Sequence, residues 1–176
     1  MHGPITPGRP TGPDRTVGGR DYRRVMTDAH PFVAQTVLDC RDPRRLAEFY
    51  RELLGYAYRP GDEPPAAGAP DERGGDWLVL RPEPDAWRAG RGLAFQGNPE
   101  FVPPVWTPGP DRPGDQQMML HLDMAVGDSA SLELQRQRVL DLGGTVLHDR
   151  TDDEEEPLYV FADPAGHPFC IFVSGS

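Results

Sequence analysis

The chain has 176 residues, a formal charge of −10 and two cysteines, long enough for one ordinary core or for two small halves sharing one. No apolar run approaches the roughly 20 residues that cross a bilayer, and no signal-peptide core precedes the first polar stretch, so the expectation is a cytoplasmic protein with no membrane partner. Residues 1–30 carry a small positive excess, which leaves a strongly acidic remainder that would repel phosphate backbones and argues against a nucleic-acid partner.

Residues 1–30 are rich in Pro, Gly and Arg with little to bury, and are expected to form a disordered tail; Met26, just ahead of the first strand, is a natural alternative start. From residue 31 the pattern reads as a β-α-β-β-β unit written twice. "FVAQTVLDC" is a strand holding Cys40. "DPRRLAEFYRELLG" is a helix with Asp42 as cap, Pro43 in the first turn and Gly55 at its end. Leu46, Phe49, Tyr50, Leu53 and Leu54 fall on one helical face and are read as core, with no chemistry assigned. Strands are expected at about 56–59, 76–81 and 92–97.

The second unit has a strand at about 117–126, a helix from Asp128 to Leu142 with Leu132, Val139 and Leu140 as its apolar stripe, and strands at about 145–149, 157–162 and 168–173. Gln35 and His121, Leu38 and Met124, and Asp42 and Asp128 keep one constant offset between the copies, the mark of an internal repeat. The Pro-rich stretch 98–115 reads as a connection, with module 1 at about 31–106, a linker at 107–116 and module 2 at about 117–174, all in one domain, 31–176. "DDEEE" at 152–156 lacks the spacing of a calcium loop and reads as a solvated turn.

The strand "QMMLHLDMAVGD", the helix ending in "DLGG" and above all "YVFADPAGHPFCIF" resemble the vicinal oxygen chelate superfamily of glyoxalase I, bleomycin-resistance proteins and extradiol dioxygenases. Within it the likeness is greatest to the glyoxalase-like group ending in "DPxGHPFC". The resemblance implies an α+β fold in which tandem βαβββ modules form a curled mixed sheet around a cavity, with helices outside. It also implies four metal-ligand positions, one on the first and one on the last strand of each module; they fall on Gln35, Ala94, His121 and Cys170.

A catalytic divalent site needs about three ligands from His, Asp, Glu or Cys, and those four positions supply one imidazole and one thiol. No metal or other cofactor is therefore expected, although Asp123, two residues after His121 on the same strand face, could serve as a third ligand. By alternation Gln35, Ala94, Gln96, His121, Asp123 and Cys170 face the cavity, Trp106 adds a wall from the linker, and Trp77 is either a second wall or core. His121 is alternatively a core imidazole. Cys170 reads better as a buried thiol than a nucleophile, and Asp163, Pro164 and Gly166 as residues shaping a tight turn beside His167.

Two functions remain open. One is a metal-free cavity that sequesters a small hydrophobic or aromatic metabolite or antibiotic, in a monomer or homodimer. The other is an enzyme of lyase, isomerase or dioxygenase type using His121 and Asp123 as an acid/base pair or as metal ligands.

Overall fold

The structure is a computed structural model and describes residues 33–82, 91–106 and 120–174. The expected tail, the alternative start at Met26 and the linker at 107–116 lie outside the described residues. Within the compact unit Val33–Ser176, strand β1 (Gln35–Cys40), helix α1 (Pro43–Leu54) and strands β2 (Ala57–Tyr58), β3 (Trp77–Arg81) and β4 (Gly92–Gly97) form the first module. The second comprises β5 (Leu122–Val126), α2 (Ser129–Asp141), β6 (Thr145–Arg150), β7 (Leu158–Ala162) and β8 (Pro168–Val173).

Each module is a four-stranded mixed sheet, ordered β1-β4-β3-β2 in one and β5-β8-β7-β6 in the other. In both, the first strand lies parallel to the last, while the remaining pairs are antiparallel. The repeat read from spacing is thus a repeat of topology. The sheets remain separate and open, so β1 and β5 each present an outer edge.

Local signals account for the helices. In α1 the Asp42 side chain accepts from the Arg45 N–H at 3.0 Å, and Gly55, at φ 66°, ends the helix in the left-handed region where a side chain is disfavoured. Asp128 caps α2 in the same way, accepting from the Ser131 N–H. Only Leu132 and Val139 of α2 are buried, and Leu140 is merely half-buried, so the expected stripe is narrower than its spacing implied. The more amphipathic α1 buries Leu46, Ala47, Phe49, Tyr50 and Leu53.

Helix α1 joins the two sheets. Tyr50 stacks on Phe95 of β4 at 5.7 Å between centroids, while Phe49 meets Phe169 of β8 edge-on at 6.0 Å. One hydrophobic cluster thereby contains residues of both modules, and each large side chain it buries contributes about 2–3 kcal/mol from water exclusion. The strand faces opposite this core are left to form sites. Between β2 and β3 the chain folds around Asp62, whose buried carboxylate accepts from the Val79 N–H and pairs with Arg59 and Arg73.

Candidate functional site

His121 immediately precedes β5, and its Nε2 lies 3.1 Å from Oδ1 of Asp123. Asp123 is paired in register with Cys170 of β8, which is paired in turn with Val160 of β7. Burial, followed by the adjacent Asp123 charge, pushes the Cys170 thiol up to about 11. Without a metal it stays protonated at neutral pH, which supports the reading of an inert thiol over a nucleophile.

Trp106 stands edge-on to the His121 ring, with centroids 5.2 Å apart and planes at 83°. It also packs against an apolar floor of Leu158, Val160, Cys170 and Phe172. On β6, His148 and Arg150 lie two residues apart and reach the same depression, and Glu156 from the acidic turn completes its rim. The result is a basin of about 500 Å³ on the second sheet.

The residues predicted from alternation divide between the sheets. His121, Asp123, Cys170 and Trp106 come together in the basin. Gln35, Ala94 and Gln96 share the corresponding face of the first sheet, with Trp77 and Val79, and none of them lines the basin. Leu122, Met124 and Val126 pack against the core, as alternation requires.

A family model described as a glyoxalase-like domain matches residues 35–172, from the first residue of β1 to the next-to-last of β8. The chain belongs to the glyoxalase-like domain family. The fold of this glyoxalase-like protein is shared with a glyoxalase/bleomycin resistance protein/dioxygenase family enzyme from Burkholderia phytofirmans PsJN, at a TM-score of 0.55 and 13% identity over 81% of this chain and 98% of that one. It is shared also with the fosfomycin resistance protein FosX from Listeria monocytogenes, at a TM-score of 0.54 and 11% identity over 82% and 94% of the two chains. FosX from Mesorhizobium loti gives a TM-score of 0.51 and 12% identity over 84% and 94%. These likenesses place the protein in the vicinal oxygen chelate fold. No curated protein matches the sequence.

Metal enzymes of this fold raise the question of whether the present donors suit an ion. One donor atom from each of His121, Asp123 and Cys170 lies within 4.8 Å of the other two. Imidazole, carboxylate and thiol together suit a borderline-soft ion such as zinc, which these three residues would hold. Asp123 stands with His121 and Cys170 as a third donor, and in residue type the set fits a divalent metal.

A second polar cluster, read from sequence only as a turn, sits between β7 and β8. The Asp163 side chain is fully buried; it accepts from Tyr50 Oη–H at 3.0 Å and lies 2.8 Å from His167 Nδ1. Its other oxygen accepts from the backbone N–H groups of Ala165 and His167. Gly166 closes the turn at φ 97°, where an added Cβ would also lie 2.8 Å from Cβ of Pro103. No motif announces the partnership with Tyr50, because its two members are 113 positions apart. His148 and Arg150 were also missed, although their two-residue spacing on a strand is a usable signal.

Proposed function

We propose that this glyoxalase-like protein binds a small amphipathic or aromatic molecule in the basin of the second sheet, with His121 and Asp123 as the polar end of the site. The observation that carries this reading is the position of His121, between the Trp106 ring and the Asp123 carboxylate in a depression of about 500 Å³. That volume falls within the usual range for small-molecule sites, and an apolar floor with a few convergent polar groups is their usual composition. Trp106 supplies a flat apolar wall, while Arg150 and Glu156 offer opposite charges at the rim. Such a site can sequester its ligand without a metal.

The proximity of three donors favours a second reading, that of a metal-dependent enzyme. His121, Asp123 and Cys170 would hold the ion, which would act as a Lewis acid toward an oxygen of the bound molecule. His121 would then be a ligand; in a metal-free enzyme it would instead move a proton, with Asp123 orienting the ring.

The deciding experiment is elemental analysis of protein purified without chelator or nickel resin, followed by zinc titration in a calorimeter. The sequestering reading expects no stoichiometric metal and no saturable zinc binding in the low micromolar range. Near one ion per chain, lost in both His121→Ala and Cys170→Ala, would overturn it in favour of the metal-dependent enzyme.

A further inference from the structure

A second cavity, of about 400 Å³, lies beside the outer edges of β1 and β5, the strands that end the two sheets. His121 borders both this seam and the basin. The remaining groups of the seam are different, and their hydrogen-bonding character limits what can enter.

His167 lines the seam with its Nδ1 directed at the buried Asp163 carboxylate, and Tyr50 bonds the same carboxylate oxygen. Because the carboxylate only accepts, Nδ1 donates to it, and in the tautomer that does so without a second ring proton Nε2 keeps a lone pair. Among the described residues, no side-chain or backbone donor is bonded to that nitrogen. Phe101 lies against the ring at 5.0 Å between centroids and limits its rotation. A buried carboxylate thus fixes the orientation of an imidazole beside an open cavity.

The charged residues on the seam walls are Asp39 and Glu100, and no arginine is among the lining residues. The Asn98 amide is already engaged, donating to Asp39 Oδ2 and accepting from the Glu100 N–H, each at 3.0 Å. The Asp39 and Glu100 carboxylates therefore give the seam its acceptors, and His167 Nε2 adds one when the ring carries its proton on Nδ1 alone. Val37, Val102 and Leu120 supply apolar surface on the same walls, and all three are exposed. Large apolar side chains left exposed around a concavity are a common feature of ligand sites.

We propose that the seam is a second ligand site, which takes a small organic ammonium with an apolar body, and that His167 Nε2 accepts one of its N–H bonds. Asp39 and Glu100 supply the compensating charge, while Val37, Val102 and Leu120 hold the carbon skeleton. Among the described residues, His121 is the one that lines both this site and the basin.

The test is NMR of the full chain with ¹⁵N-labelled histidine and backbone, titrated with benzylammonium, with benzyl alcohol and benzoate as uncharged and anionic controls. In the complex His167 should show an unprotonated Nε2. Benzylammonium should shift that nitrogen and the amides of Val37 and Asn98 saturably, leaving His148 of the basin unmoved; benzoate should not bind. Glu100→Gln, at an exposed position, should weaken benzylammonium severalfold, and His167→Phe, which keeps a flat ring without any acceptor, should weaken it about tenfold. If His167→Phe fails to fold, the wild-type titration and Glu100→Gln still decide. A protonated Nε2 in the complex, an equal response to benzoate, shifts confined to the basin, or no saturable shift at millimolar probe would each overturn the proposal.

Discussion

Replacing Tyr50 by Phe removes one oxygen from the centre of the fold and leaves the ring that stacks on Phe95 in place. The tyrosine is 1% exposed, and its hydroxyl donates at 3.0 Å to a carboxylate that is itself fully buried. A hydrogen bond to a charged partner contributes about 1.5–3 kcal/mol. Asp163 keeps its contacts with His167 Nδ1 and two backbone N–H groups after the substitution, which places the expected loss near the middle of that range. About 2 kcal/mol corresponds to a thirtyfold change in the unfolding equilibrium, or a fall in Tm of about 7 °C for a unit of this size. Urea unfolding followed by tryptophan fluorescence should show a lower midpoint with an unchanged slope, because the surface exposed on unfolding is the same. The bond joins α1 of the first module to the turn before β8 of the second, so the transition should remain single. A loss below about 0.5 kcal/mol would refute the reasoning, since Asp163 would then draw nothing from the tyrosine as a charged acceptor.

Asp62→Ala should cost about 1–3 kcal/mol, because it leaves the buried Val79 N–H without its acceptor; Arg73→Ala, at the exposed end of the same cluster, should cost under about 1 kcal/mol. Thermal melts that rank the two variants equally would contradict that assignment. Alkaline titration gives a second check. Burial pushes the Cys40 thiol from its ordinary value near 9 up to about 12, and the charge of Asp163 adds to the effect. The unfolded chain therefore releases this proton first, so the contribution of the group is fully present below pH 9 and is lost as pH rises toward 12. Denaturation curves should be level from pH 7 to 8.5 and weaken above, by up to about 1.4 kcal/mol per pH unit for this one group. Cys40→Ala should reduce that slope, and an unchanged slope in the variant would count against the assignment.

Much of this protein could be read locally. Caps, helix lengths, the order of elements and the repeat depend on neighbours within a few positions, and α1, β4 and β8 fall where spacing and turn chemistry put them. Alternation also identified which side of β5 faces the core. The apolar stripe of α2 was overestimated because spacing reveals which residues share a face but not how far a neighbour covers it. Of the candidate site, the sequence named His121, Asp123, Cys170 and Trp106, which the structure brings together, and grouped with them Gln35, Ala94 and Gln96 of the other sheet. Strand alternation identifies a face, but the distance between faces of two sheets depends on how the modules pack.

The sequence by itself determined the two modules, their strand faces and the family, because periodicity, capping and turn residues act over short range. Only the tertiary structure decided that Tyr50 meets Asp163, that Asp62 anchors the β2–β3 loop, and that His121 borders two cavities with different walls. Tyr50 and Asp163 are far apart in the chain, and their meeting is fixed by the packing of α1 across both sheets into one core rather than by local preference.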